Sequence, residues 1–442
     1  MTTDVPANVP ADVPAGGAAT LDPARLRELF DLRSSVYATR GGAFEDDPYP
    51  GFHRLRETGP VHEGIPGPLV GFHGEAMFQG LPFPDRPHFS AFDFATCDAV
   101  LRSTENYSSS THTPGSTEAL YETTILYMDG ERHRRYRLLV QPSFVPKRAQ
   151  WWIDRWITTT VHALIDMFQS NGRADLNVEF CAAIPLLTIC GSFGVTVPQA
   201  LDIRAAVVSD GFGMGAFIDI VAPIIKARRE HPEDDLISVL VQAEVTDDDG
   251  NRHVLSDDEV LGFAFLLMAA GSGTTWKQMG ITLVALLTHP EWLDAVRADP
   301  EVLRAVIEES LRWTPTDPVF ARFVTNDITL QGVDIPAGAV LHLCFGAANR
   351  DPARWERPDE FDPSRPILAH LGFGWGPHIC LGMHVARAEI YAAIRALVER
   401  LPGLRLDPGA EAPRIIGMYE RGPTSVPVVF EPVRESMLRA AT

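Results

Sequence analysis

The chain has 442 residues, 45% hydrophobic and 22% charged, the proportions of an ordinary globular protein with room for a large core. Its formal net charge of -20 argues against nucleic acid and against an anionic membrane surface as general partners. The five cysteines Cys97, Cys181, Cys190, Cys344 and Cys380 are scattered and odd in number, which fits a reducing, cytoplasmic setting rather than a disulfide framework.

Residues 1–20 carry a loose Val-Pro-Ala repeat without a basic leader or an apolar run, and read as a disordered tail. No stretch reaches the roughly 18 apolar residues that a spanning helix requires. The rest, 21–442, reads as one domain. Leu21 to Leu32 has helical spacing, and Asp47-Pro48-Tyr49-Pro50 leads into a short helix from Phe52 to Glu57. Pro60 to Ile65 and His88 to Phe94 read as strands, with a helix from Ala95 to Arg102. Between the strands, Pro66 to Pro87 is rich in Gly, Pro and Phe and reads as a surface insertion. Asn106 to Thr123 is a polar loop rich in Ser and Thr.

In the next helical stretch, Met128 to Leu139, His133 and Arg137 stand one turn apart, so both can face one anion. A solvated basic face is the plainer alternative. Arg132, Arg134, Arg135, Lys147 and Arg148 make a basic island that can steer an acidic partner. Trp151 to Phe168 and Leu176 to Phe193 read as core helices. Two more apolar helical patterns lie between Pro198 and Arg229, split by Ser209-Asp210-Gly211-Phe212-Gly213.

Leu255 to Leu287 is the longest helical pattern, with Asp257, Asp258 and Glu259 at its positive end. Gly271, Gly273, Thr274 and Thr275 in its middle cost helix propensity and predict a local distortion; close packing against a neighbour is the other reading. Glu309 and Arg312 share a helix face among Val306, Ile307, Leu311 and Trp313, so a buried pair is expected. Phe323 to Leu330 and Val340 to Phe345 are strand-like, and Gly417 to Glu420 falls on a C-terminal hairpin.

From His370 to Gly382 the glycines Gly374, Gly376 and Gly382 bracket Cys380, too densely for a regular element. A helical pattern resumes with Leu381, Val385, Ala388, Ala392 and Ala396. The helix N-terminus should lower the thiol pKa from about 8.5 and favour a thiolate, which could be presented to an iron. A buried structural cysteine and a cysteine nucleophile are the other readings. A zinc site lacks a second ligand pair.

Phe-Gly-x-Gly-x-His-x-Cys-x-Gly, from Phe373 to Gly382, resembles the haem-binding loop of the cytochrome P-450 family. The other motifs follow in that family's order, and the resemblance covers nearly everything after residue 45. It implies a mostly α fold with a small β region. Haem b (iron protoporphyrin IX) would lie between a long distal helix and a proximal cysteine-loop helix, with Cys380 as the metal ligand. Phe373, Gly374 and Gly382 would shape its cradle. His133, Arg137, Arg322 and His378 would hold the propionates, with His370 a further candidate. Glu309, Arg312 and Arg365 would form a structural triad.

The resemblance further implies that Gly271, Gly273 and Thr274 lie over the iron, with the Thr274 hydroxyl offered to oxygen. Leu266, Ala269, Ala270, Pro318, Val319 and Met418 would line the substrate pocket, together with the rest of Thr316 to Phe320. Residues 198–229 would be a mobile lid, shorter than is usual, and Asn106 to Thr123 would roof the pocket. The family usually has an acid where Gly273 stands, so the proton route is open, and an acid introduced at 273 should improve coupling if proton delivery is limiting.

The implied activity is insertion of one oxygen atom from O2 into a small hydrophobic substrate by a monomer. Electrons would come from a separate ferredoxin or flavodoxin docking near the basic island. Gly273 motivates a peroxide-driven or otherwise atypical oxidation as the alternative. A non-catalytic haem sensor is the rival from another class.

Overall fold

The helix Asp257–Thr288 is the axis on which the other elements pack. Its start is fixed by a capping box: Glu259 N–H donates to Ser256 Oγ at 3.3 Å, and Ser256 N–H donates to Glu259 Oε2 at 2.8 Å. Residues Val260–Phe265 and Thr275–Leu287 are buried on every face, which requires neighbours all round. These are the helices Ala183–Gly191, Val302–Trp313 and Met383–Arg400 among others. A computed structural model of the chain describes residues 21–31, 44–74, 85–110, 124–210, 213–246 and 250–433. Among them no helix is long and apolar enough to cross a membrane.

The β region is small, as expected. Strands β1 (Val61–Glu63), β2 (His88–Ala91), β3 (Tyr107–Ser108), β4 (Phe320–Val324) and β5 (Val340–Leu343) form one sheet in the order β1-β2-β5-β4-β3. β5 pairs parallel with β2 and antiparallel with β4. The strand-like run Phe323 to Leu330 divides: its first residues belong to β4, whereas Ile328–Leu330 pairs with Val333–Ile335 in a separate hairpin.

Three expectations need correction. The central helix does not break at its glycines but continues through Gly271 and Gly273, and Thr274 Oγ1 donates to the Ala270 carbonyl at 2.8 Å within it. The stretch from Pro66 is not simply a surface insertion. It opens with a helical turn, Pro66–Leu69, whose Gly67 N–H donates to the buried Tyr419 hydroxyl at 3.1 Å; residues 75–84 lie outside the described residues. The helix expected from Trp151 begins at Pro146, a residue suited to a first helical turn, and runs through a π-helical stretch, Ile153–Ile157, to Phe168.

The tail 1–20, most of the loop Asn106 to Thr123 from residue 111 on, and residues 211 and 212 of the expected break also lie outside the described residues. The helices either side of that break are Val197–Asp210 and Met214–Glu230.

The Glu309, Arg312 and Arg365 side chains do meet. Arg312 donates to both Glu309 oxygens at 2.8 and 2.7 Å, and Arg365 Nε donates to Oε1 at 3.2 Å. Arg312 also donates to the carbonyls of Asn349, Pro358 and Glu360. The pair is 3% and 6% exposed, so its charges are compensated by one another and by backbone rather than by water.

Candidate active site

The glycine-rich loop owes its shape to close approach. Gly374 and Gly376 have φ of +66° and +73°, conformations that disfavour any side chain. A Cβ on Gly376 would strike the carbonyl of Leu101, at the end of helix Phe94–Arg102, and one on Gly372 would lie 2.7 Å from the Leu311 carbonyl. Cys380 N–H donates to the Phe373 carbonyl at 2.9 Å, closing the loop just ahead of helix Met383–Arg400. Around Gly382, by contrast, a Cβ would meet nothing within 4 Å.

Cys380, Phe373, Gly374 and Gly382 all border one internal cavity. Cys380 is exposed to that cavity, yet the protein packed around it desolvates the thiol and pushes its pKa up. A hydrogen bond from the Gly382 N–H and the charge of Arg137 pull the other way without prevailing. This reverses the expected lowering at the helix N-terminus: desolvation outweighs the dipole, so a thiolate here needs a bound metal cation to hold it.

A cationic group flanks the same cavity. His133 and His378 stack with ring centroids 4.0 Å apart, and Arg137 and Arg322 line the wall beside them. Arg137 donates to the Ile379 carbonyl at 2.7 Å, tying its helix, Gly130–Val140, to the cysteine loop. Burial, then the proximity of His378 and Arg137, bring His133 down to about 3; burial brings Arg322 down to about 10. His133 Nε2 is buried and has no hydrogen-bond partner among the described residues. Burial alone would raise the Asp129 carboxyl, but the nearby His378 imidazole and hydrogen bonds from the Ser108 hydroxyl and the Ser109 N–H hold it at about 2. It is the carboxylate against this cationic wall, with His378 Nε2 at 3.8 Å.

His370 does not join the other histidines. Its Nε2 lies 3.3 Å from Glu308 Oε2, and its Nδ1 accepts from the Gly372 N–H at 3.0 Å. Glu308 also takes two hydrogen bonds from Arg387 at 2.5 and 2.9 Å, so His370 helps tie the loop to helix Val302–Trp313, away from the cavity.

On the other wall stand Leu266, Ala270, Gly271 and Thr274 of the central helix, with Thr316, Asp317 and Phe320. Four of the expected pocket residues are not there. Val319 and Met418 are 1% and 0% exposed, packed in a separate cluster with Phe52, Phe92 and Cys344. Pro318 is turned to Gly346, accepting its N–H at 2.9 Å, and Ala269 sits a helical step round from Ala270. Gly273 likewise faces away from the cavity, towards Lys277 and Glu420.

Glu389 was missed. It borders the cavity from helix Met383–Arg400, and burial raises its carboxyl to about 7, opposed only by the nearby Thr188 hydroxyl. Its signal was a lone acid within the otherwise apolar stripe of Val385, Ala388 and Ala392.

A cysteine on a glycine-shaped loop and a cationic wall face one cavity, which is a specific combination. The chain is 33% identical over 384 residues to cytochrome P450 monooxygenase PikC of Streptomyces venezuelae, across 83% of this chain and 87% of that protein. The chain belongs to the cytochrome P450 family. A family profile described as Cytochrome P450 matches residues 214–408. Mycinamicin IV hydroxylase/epoxidase of Micromonospora griseorubida is 36% identical over 69% of this chain and 79% of its own length. Among solved structures, P450BioI in complex with an acyl carrier protein ligated to hexadec-9Z-enoic acid superposes with a TM-score of 0.75 at 27% identity, over 87% of this chain and 99% of that one. This P450 is therefore a haem-thiolate monooxygenase with the expected fold: mostly helical, with a small sheet region.

Two features of the site fit a haem. Orphaned His133 Nε2, with Arg137, Arg322 and His378, suits anionic carboxylates, and the open space at Gly382 suits a flat group laid against the loop.

Proposed function

We propose that this P450 inserts one oxygen atom from O2 into a hydrophobic organic substrate, using haem b ligated by the Cys380 thiolate. The observation that carries the reading is one cavity bordered by both Cys380 and Thr274 and walled by Leu266, Leu267, Ala270 and Ile189. The haem, when bound, supplies the oxidative chemistry. His133, Arg137, Arg322 and His378 would hold its carboxylates by charge-assisted hydrogen bonds. Phe373, Gly374 and Gly382 form the floor. The apolar wall excludes water and orients the substrate by shape. Thr274 would offer its hydroxyl from the cavity wall.

Electrons come from a separate ferredoxin or flavodoxin, and Arg132 and Arg148 remain candidate contacts for its acidic surface. Arg134 is less available, being paired with Glu131 at 2.7 Å. The five cysteines are all unpaired, which supports a reducing cytoplasm. Residues 21–442 act as one catalytic domain.

The test is to screen hydrophobic compounds for a haem spectral shift, then supply ferredoxin, reductase and isotopically labelled O2. Product carrying one labelled oxygen atom is expected. Compounds that shift the spectrum yet never acquire label would overturn the reading in favour of a haem sensor. Label acquired only from peroxide would favour the peroxide-driven reaction.

A further inference from the structure

Gly273 has no side chain, and a carboxylate occupies the space beside it. A Cβ on Gly273 would lie 3.6 Å from Glu420 Oε1 and 3.7 Å from Lys277 Nζ. Lys277 stands one turn further along the same helix and is ion-paired with Glu420. They are 4% and 5% exposed. Glu420 comes from a different part of the chain, the loop between strands Ile415–Ile416 and Gly422–Pro423.

That loop is tied to the cavity wall. Arg421 N–H donates to the Thr316 carbonyl at 2.6 Å, Thr316 Oγ1 donates to the Arg421 carbonyl at 2.9 Å, and Thr316 N–H donates to Gln278 Oε1 at 3.0 Å. Thr316 and Gln278 both border the cavity. Gly422 abuts the stem of Lys277, where a Cβ would lie 2.9 Å from the lysine Cβ. The pair is thus positioned by backbone on both sides.

Desolvating two charges roughly cancels their attraction, so stability alone gives little reason for this pair. Its position gives a better one. The neighbour of Gly273 is Thr274, whose hydroxyl is on the cavity wall and at rest donates to the Ala270 carbonyl. To release that proton into the cavity, Oγ1 must accept another. With no side chain at 273, the Glu420 carboxylate lies close to the helix one residue from Thr274.

We propose that Glu420, held against Gly273 by Lys277, is the carboxyl group that resupplies protons to the Thr274 hydroxyl. The proposal rests on the monooxygenase reading above. In that reaction O2, two electrons, two protons and R–H give R–OH and water, so protons must reach the cavity. At each delivery the Oγ1–H bond of Thr274 breaks towards the oxygen being reduced, and a new one forms with the proton of Glu420. No electrons move in this step. Between deliveries Glu420 is the carboxylate paired with the Lys277 ammonium; it takes up one proton from solvent before each delivery and returns to the carboxylate after it. An acid at 273 would then compete with Glu420 for Lys277, so Gly273→Asp alone should not raise coupling, contrary to the expectation from sequence.

The test compares haem-loaded wild type with Glu420→Gln, Lys277→Met/Glu420→Gln and Gly273→Asp/Glu420→Gln. The double neutral variant leaves no unpaired buried charge and so guards against misfolding. Readouts are the fraction of donor electrons recovered in product, the solvent hydrogen isotope effect, and the infrared band of protonated carboxyl groups followed against pH. Both neutral variants should keep the substrate-induced spectral shift but lose coupling by about tenfold, with a larger isotope effect. A titrating carboxyl band should disappear with Glu420. Gly273→Asp/Glu420→Gln should recover coupling, because a carboxylate again faces Lys277. Wild-type coupling in the double neutral variant, or a carboxyl band unaffected by the loss of Glu420, would overturn the assignment and leave the monooxygenase reading standing. A wild type that yields no labelled product overturns that reading instead.

Discussion

His133, on helix Gly130–Val140, and His378, in the cysteine loop, stack face to face with ring centroids 4.0 Å apart and share a wall with Arg137 and Arg322. Burial is the largest cause holding both imidazoles below the usual histidine range. Two neutral rings and two guanidinium groups around one space form a receptor for carboxylates that costs less repulsion than four cations would.

Removing one member should therefore weaken haem retention without unfolding the protein. A charge-assisted hydrogen bond is worth about 1.5–3 kcal/mol, so Arg137→Ala should raise the rate of haem transfer to apomyoglobin roughly tenfold to a hundredfold. His370→Ala should leave that rate near wild type, since its partner is Glu308. Equal effects of the two substitutions would refute this separation.

Cys380→Ala should bind haem weakly and give a carbon monoxide adduct without the thiolate signature. Because the thiol pKa is pushed up by burial, the apoprotein should carry a neutral thiol at neutral pH that alkylates slowly. Rapid alkylation of the apoprotein at Cys380 would contradict the desolvation argument.

Glu309→Gln leaves Arg312 buried at 3% exposure without the carboxylate it is paired with. Breaking such a pair costs about 3–5 kcal/mol, so the thermal midpoint should fall clearly, and Arg312→Leu/Glu309→Leu should recover part of the loss. A midpoint unchanged in Glu309→Gln would show that the backbone carbonyls around Arg312 suffice.

Glu389 sets a pH dependence. Its folded carboxyl, at about 7, lies above the ordinary 4.5, so the folded state binds this proton more tightly than the unfolded chain does. Its contribution is most favourable below the unfolded value and declines as pH rises through 4.5 towards 7, by roughly 3 kcal/mol. Glu389→Gln should lose that slope, and its thermal midpoint should gain on wild type between about pH 5 and pH 8. Parallel midpoints across that range would mean that Glu389 is ionised in the fold.

What lies within a few residues was written in the sequence, because local backbone geometry fixes it. Dense glycine around Cys380 specifies a loop; four-residue spacing puts His133 and Arg137 on one helix face; three-residue spacing joins Glu309 to Arg312. The order of those motifs was enough to identify the fold. What depends on which segments meet was not written there. Only packing turned His370 towards Glu308, buried Val319 and Met418 in another cluster, and placed Glu420 against Gly273. The same holds for charge: the dipole expected to lower the Cys380 thiol is a local effect, whereas the desolvation that raises it comes from the whole surrounding protein.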